Sequence, residues 1–331
     1  SNKLKDRNVQ LKIIGMDAKI PEADKGRELI VLVIGEAVRA DRLSLNGYPR
    51  ETNPLLQKED VISMKNMHSC GTSTDISVPC MFSIYDRSHY SEKKGKSTGN
   101  LLDVLRHTGK VSILWRENNS DSKGVALRVP YEDYRKPDKN PICDEECRDE
   151  GMLVGLQDYI DSRTKGDILI VLHQMGNHGP AYYKRYPPSF EKFKPTCRTN
   201  ELNKCSNEEI NNAYDNVILY TDYFLYKVIH LLKQNDSRFE TAMIYMSDHG
   251  ESLGEKGLYL HGLPYVIAPD NQKHIAAMFW LGQHLSEHKK SLKHKINKEY
   301  TQNNLFHTVL GLLEVHTTLY DKRKDIIFSN D

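Results

Sequence analysis

Five apolar runs of strand length, Leu29–Ile34, Val111–Trp115 (interrupted only by Ser112), Ile168–Leu172, Ala242–Met246 and Ala276–Leu281, constrain this chain more than any other feature. A strand with one face in water alternates apolar and polar residues. A strand that is apolar throughout suits a parallel sheet covered by helices on both faces. The segments between the runs supply those helices. Ser206-Asn-Glu-Glu209 has the form of a capping box, and Ile210, Ala213, Val217, Tyr220, Phe224, Val228 and Leu231 then keep helical spacing, which predicts a long amphipathic helix on the sheet. Shorter helices are predicted at Gly99–His107, closed by Gly109, at about Arg148–Asp161, and at Asn303–Leu313. The alternation predicts an α/β sandwich. Asn118–Gly124, Tyr131–Glu146 and Gly179–Cys205 carry Pro, Gly, Asn and charge without period and read as loops; no repeat and no clear domain boundary is visible.

Bulk properties remove several function classes. The 331 residues hold 46 Lys plus Arg against 45 Asp plus Glu, so no global basic field points to nucleic acid. No stretch reaches the roughly 18 to 20 apolar residues that span a bilayer, and the chain reads as a soluble segment. Ser1-Asn2 and the polar Lys3–Arg7 read as a cloning remnant, residues 1–20 as remnant plus linker, and 21–331 as one domain with sequence upstream of it. The basic stretch His284–Lys298 reads as a solvated face, with contact to an anionic membrane the less favoured reading. Six cysteines fall in close pairs, Cys70 and Cys80, Cys143 and Cys147, Cys197 and Cys205, with no CxxC knuckle for zinc. Three local disulfides and an oxidising compartment are expected, each bridge adding at most about 3 kcal/mol.

Polar groups that follow the apolar runs carry the candidate chemistry. Asp248 and His249 come just after one run and Glu36 just after another, where strands of a parallel sheet deliver ligands to one edge. In Ser69-Cys-Gly-Thr-Ser-Thr74 a polar turn enters an apolar segment, which places Thr74 at a helix N-terminus, a position that favours an alkoxide or a phosphoryl group. Each residue alone has an ordinary reading: an N-cap for Thr74, a helix-dipole partner for Glu36, a turn residue for Asp248, a satisfied imidazole for His249. Together they make three oxygens and one nitrogen, a tetrahedral zinc set once Thr74 is deprotonated. His173, His178 and His261 are expected at the same edge as further metal ligands, acids or phosphate donors. Asn119 and Lys123 suit phosphate oxygens and suit a solvated turn equally well.

Longer strings then add a family likeness. Ile34-Gly-Glu-Ala-Val-Arg39, Asn46-Gly-Tyr-Pro-Arg-Glu-Thr-Asn-Pro54, Ser69–Thr74, Val78-Pro-Cys-Met-Phe-Ser83, Trp115–Gly124, His178–Pro187 and Ser247–Pro264 resemble the lipid A phosphoethanolamine transferases, including the mobile colistin-resistance enzymes, over nearly the whole chain. The resemblance implies a three-layer α/β/α sandwich of alkaline-phosphatase-like type with a mostly parallel sheet. It implies a monomeric domain on the periplasmic face of the inner membrane, attached through an N-terminal membrane domain absent here. Carried over residue by residue, it implies Thr74 as nucleophile, Glu36, Asp248 and His249 with Thr74 around a primary Zn2+, and His178 and His261 at a second zinc or the substrate phosphate. Asn119, Ser120, Lys123 and His173 match substrate-pocket positions. This sequence departs from the family pattern at Ala37-Val38, where relatives commonly carry Ser or Thr then Ala, and at His173-Gln-Met-Gly-Asn-His178, without losing a proposed ligand.

The expected reaction is transfer of phosphoethanolamine from phosphatidylethanolamine to a lipid A phosphate through a covalent Thr74 ester, with polymyxin resistance as the outcome. The rival inside the fold is a phosphodiesterase or other hydrolase. The formylglycine sulfatase signature is not found around Thr74. The rival outside catalysis is a periplasmic metal- or lipid-binding module, which predicts zinc without turnover.

Overall fold

A computed structural model of the chain describes residues 10–23 and 26–330; the start of the expected remnant, residues 1–9, lies outside the described residues. The described residues form twelve strands: β1 (Glu28–Gly35), β2 (Ile62–Ser63), β3 (Met67–His68), β4 (Val111–Glu117), β5 (Tyr131–Asp133), β6 (Asp167–His173), β7 (Glu240–Ser247), β8 (Ser252–Leu253), β9 (Tyr259–Leu260), β10 (His274–Ile275), β11 (Ala277–Leu281) and β12 (Tyr300–Thr301). Seven α-helices accompany them among the described residues: α1 (Thr74–Met81), α2 (Glu92–Ser97), α3 (Leu101–His107), α4 (Leu156–Ser162), α5 (Asn207–Asn235), α6 (Ser286–Lys293) and α7 (Asn304–Leu312).

The five apolar runs all enter one seven-stranded sheet in the order β2-β11-β7-β1-β6-β4-β5. Alternate residues of each run serve opposite faces. Ile30, Leu32 and Ile34 of β1 pack with α1, α3 and α7 residues such as Val78, Leu102 and Phe306, while Leu29, Val31 and Val33 pack with α5 residues such as Val217, Phe224 and Val228. This is the three-layer sandwich that the resemblance implies, and the sheet is mostly parallel. One run departs from the expectation of parallel pairing: β11 runs antiparallel to β7. The connection 248–276 has no α-helix to carry the chain back across the sheet, so the next strand starts at the edge where β7 ended.

The long helix starts as predicted, with Ser206 and Glu209 closing a reciprocal capping box. The helix predicted over Arg148–Asp161 is broken: a 3-10 turn at Asp149–Leu153 and α4 are separated by Gly155 at φ 78°, a left-handed conformation that no α-helix contains. Tyr131–Asp133, read as loop, adds an edge strand to β4. Of the segment read as linker, residues 12–20 are tied down. Lys12 N–H donates to Ser97 O, Lys19 N–H to His316 O, and Ala18 and Ile20 are buried. The basic stretch 284–298 is not all solvated face, because Lys295 is buried with its Nζ donating to the carbonyls of Ile326, Ile327 and Ser329. All three expected disulfides are formed. No helix among the described residues is long and apolar enough to cross a membrane.

Candidate active site

Parallel pairing decides where the polar residues meet. Gly35 of β1 stands opposite Ser247 of β7, and Ile34 stands opposite His173, so β1, β6 and β7 all run out at one edge. Glu36 and Asp248 therefore emerge side by side, and the Asp248 N–H donates to Gly35 O at 3.0 Å. The turn after β1 is held tightly: Ala37 has φ 57°, its N–H donates to Asp248 Oδ1 at 3.0 Å, and its carbonyl accepts from the Tyr214 hydroxyl.

Thr74 arrives from the other side. Ser73, with extended backbone, is the N-cap of α1, which makes Thr74 its first helical residue and overturns the N-cap reading. Its hydroxyl donates to Asp248 Oδ2 at 2.6 Å, with the Glu36 oxygens at 3.0 and 3.4 Å. The approach is braced by Gln302, fully buried, whose amide Nε2 donates to the carbonyls of Ser247 and Asp248 at 2.9 Å and whose Oε1 accepts from Cys70 N–H at 2.7 Å.

His249 completes the group. Its Nδ1 donates to Gly250 O at 2.6 Å, which turns the lone pair of Nε2 inward, 2.9 Å from Glu36 Oε2 and 3.5 Å from Asp248 Oδ1, with no aligned hydrogen bond. Glu36, Asp248 and His249 are all buried. Burial alone would raise the Glu36 carboxyl, but His249 outweighs it and holds Glu36 well below the usual range. Burial, then the Glu36 charge, pushes Asp248 up to about 7. Burial alone would lower His249, but Asp248 and Glu36 carry it up to about 10. Two carboxylates so buried call for a cation, and in a cation-free molecule the His249 imidazole takes the largest share of that part. Two carboxylates, an imidazole nitrogen with an unmatched lone pair and a hydroxyl within reach of both carboxylates fit zinc.

A second group adjoins the first. The His261 ring lies 4.0 Å from that of His249, and His261 Nδ1 is 2.8 Å from Glu251 Oε1, whose other oxygen accepts from the Tyr182 hydroxyl. Gly262 N–H donates to Thr72 O, which latches the His261 loop to the segment leading to Thr74. His178 is half-buried with an unpartnered Nδ1, and burial pushes it below its usual value. Its loop is held by Asp149, a buried carboxylate that accepts from the N–H groups of Met175 and Gly176 and from Asn118 Nδ2.

The remaining predicted residues divide. Asn119 touches the centre, donating from Nδ2 to Glu36 Oε1 at 3.3 Å and to Gln174 O at 2.9 Å. Lys123 reaches over the first turn of α1, with Nζ 2.9 Å from Asp75 and 3.7 Å from Asp121. Ser120 is anchored by its N–H on Glu117 Oε2, and its Oγ is buried without a partner. His173 is the last residue of β6, 0 % exposed, with Nδ1 2.8 Å from Glu117 Oε2 and Nε2 unpartnered; burial alone would lower it, but Glu117 raises it. It lies behind the surface of the site.

Sequence reasoning missed Glu117, Glu251, Gln302 and Asp149. The logic that selected Glu36 reaches Glu117, which ends β4 after its apolar run, and Glu251 stands in the Asp248 string. Gln302 and Asp149 have no local signal. A cleft of about 600 Å3 opens at the opposite edge of the sheet, by Arg27, Lys110 and Asp167.

The chain matches the sulfatase family over residues 28–315. It is 48 % identical over 329 residues to the phosphoethanolamine transferase EptA of Salmonella typhimurium, covering 97 % of this chain and 60 % of that protein. It is 50 % identical over 273 residues to the phosphatidylethanolamine transferase Mcr-1 of Escherichia coli, covering 80 % of this chain and 50 % of that one. The chain thus spans 60 % or less of the length of these two relatives. The crystal structure of the soluble domain of lipooligosaccharide phosphoethanolamine transferase A from Neisseria meningitidis superposes with a TM-score of 0.90 at 40 % identity, covering 97 % of this chain and 98 % of that one.

Proposed function

Since the chain belongs to the sulfatase family and, within it, to the phosphoethanolamine transferases, we propose that residues 21–331 are the periplasmic catalytic domain of an enzyme that moves phosphoethanolamine from phosphatidylethanolamine to a lipid A phosphate. The observation that carries the proposal is the Thr74 hydroxyl held 2.6 Å from Asp248 Oδ2 and 3.0 Å from Glu36 Oε1 at the N-terminus of α1.

The residues divide the work as follows. Glu36, Asp248 and His249, with Thr74 Oγ1, would hold one zinc ion. Bound there, zinc supplies the Lewis acidity that lowers the threonine pKa and offsets charge on the phosphoryl oxygens. Thr74 Oγ1 attacks the donor phosphorus, the bond from phosphorus to the diacylglycerol oxygen breaks, and diacylglycerol leaves with a proton. An oxygen of the acceptor phosphate then attacks the same phosphorus, the bond from phosphorus to Thr74 Oγ1 breaks, and Thr74 takes back the proton that the acceptor phosphate gives up. The N–H groups of the first turn of α1 favour the negative charge that builds on the transferring group. His178 and His261 stand on the two loops beside the ligand group, placed to give a proton to the leaving oxygen, to hold the phosphate, or to bind a second zinc. Asn119, Ser120 and Lys123 contact the donor phosphate or headgroup; His173 acts from behind, through Glu117 and the backbone of 119–120. The His261 loop also carries Val266 and Ile267, 89 and 70 % exposed, with Arg87 over the Tyr265 ring beside them, a surface suited to lipid. Phosphoethanolamine adds an ammonium to lipid A, so resistance to cationic polymyxins is the expected phenotype.

Mass spectrometry of lipid A from cells expressing the full-length protein tests the proposal. Wild type adds phosphoethanolamine and Thr74→Ala adds none. Free phosphoethanolamine with unmodified lipid A would instead mean hydrolysis.

A further inference from the structure

We propose that His68, Asp270 and His274 form a peripheral site for one divalent transition-metal ion, separate from the ligand group at the strand ends. His68 on β3 and His274 on β10 are paired directly across an antiparallel ladder. Their rings stack with centroids 4.9 Å apart and planes 17° apart. Asp270, four residues before His274, reaches both: one oxygen is 3.6 Å from His68 Nε2 and the other 3.4 Å from His274 Nδ1.

These separations are too long for good hydrogen bonds, and each is close to the spacing of two ligands on one metal. Donors bonded at about 2.0–2.1 Å to a tetrahedral zinc sit roughly 3.4 Å from one another. One donor atom from each of the three residues lies within 4.8 Å of the other two. His274 is oriented as metal-bound imidazoles are. Its Nε2 is 2.6 Å from the Lys65 carbonyl, which fixes the proton there and leaves the Nδ1 lone pair facing Asp270. The Nδ1 of His68 is buried and without a partner, so that ring is held by packing with Nε2 toward Asp270. The side chains of His68 and His274 are 23 and 29 % exposed and that of Asp270 is 72 % exposed, so an ion enters from solvent without unfolding anything. Two imidazoles and one carboxylate leave a fourth position for water, a set that suits Zn2+, Ni2+ or Cu2+. Ca2+ and Mg2+ call for six or more ligands, mostly oxygen, and do not fit. Ser69, next to His68, donates its N–H to Lys273 O, so an ion here pins β3 to β10 just ahead of the segment that enters α1.

The chain with zinc in its strand-end group is dialysed to equilibrium against micromolar zinc, and bound metal is counted by elemental analysis. Wild type is compared with His68→Gln/His274→Gln and with Asp270→Asn. The double variant is expected to hold one ion fewer per chain, and Asp270→Asn to need at least a tenfold higher zinc concentration for that ion. Cu2+ added to the zinc-loaded wild type is expected to give an EPR signal with nitrogen couplings from two imidazoles, absent in the double variant. Asp270 is exposed, so its variant keeps the test decisive should the double variant fail to fold. Equal zinc content at every concentration in wild type and Asp270→Asn overturns the proposal, as does a wild-type copper signal without imidazole couplings.

Discussion

Gln302→Leu is the sharpest test of how the two halves of the proposed catalytic group are held together. Gln302 touches neither Thr74 nor a proposed ligand side chain. Its amide joins the carbonyls of Ser247 and Asp248 to the N–H of Cys70, which lies four residues ahead of Thr74. Leucine fills a similar volume and makes none of these bonds. The stranded Cys70 N–H costs about 2 kcal/mol, and two carbonyls that each lose a donor add about 0.5 kcal/mol apiece, so the expected loss is about 3 kcal/mol. With a melting entropy of about 2.1 cal/mol/K per residue, a chain of 331 residues loses about 1.4 °C per kcal/mol, giving a fall near 4 °C by calorimetry. Activity should suffer more than stability. A shift of about 1 Å between Asp248 and Thr74 is worth about a hundredfold in rate, and the zinc content should fall with it. A variant that melts within about 1 °C of wild type, retains its zinc and turns over within about twofold of wild type would show that Gln302 is not the brace described here.

Three further outcomes are expected. Chelation of the strand-end zinc, measured in the His68→Gln/His274→Gln background, should lower the melting temperature by about 4 °C if the metal was present at about a hundred times its Kd, and zinc should restore it; no change would count against a resident ion. His307 is neutral in the fold, its Nδ1 accepting the Asp321 N–H, and burial with a contribution from Lys324 pushes it down to about 4 from 6.5. The stability it contributes is complete above pH 6.5 and is lost as pH falls toward 4, about 1.5 kcal/mol after allowance for solvent screening. His307→Asn, which keeps an acceptor, should flatten urea-unfolding stability across that window. Gly250→Ala would put a Cβ 2.0 Å from the Asn271 carbonyl oxygen, a backbone atom that also accepts the Glu251 N–H. It should cost about 3 kcal/mol and most of the activity, while unchanged kinetics would refute the close packing of that loop.

Much of the sheet was legible because burial on both faces leaves no room for polar residues in a central strand. The same constraint marks where polarity returns, which is why Glu36, Asp248 and His249 stood out. Thr74 was legible as the start of a helix, although its cap turned out to be Ser73. Illegible were the break at Gly155, which needed a backbone conformation rather than a residue type, and the reversal of β11, which depends on the chain lacking a crossover helix.

By itself the sequence determined which segments must be interior and which polar residues stand at their ends, because period and polarity are local properties of the chain. Only the tertiary structure decided which ends meet. The order that sets β1 between β6 and β7 brings Glu36 beside Asp248, and the pairing of β4 with β6 brings Glu117 onto His173. Gln302 beside Asp248, and His68 with His274 on the small sheet, lie far from their partners in sequence and adjacent in space. Such neighbours are set by strand order and register, which emerge from the packing of the whole chain and leave no mark in any single stretch of it.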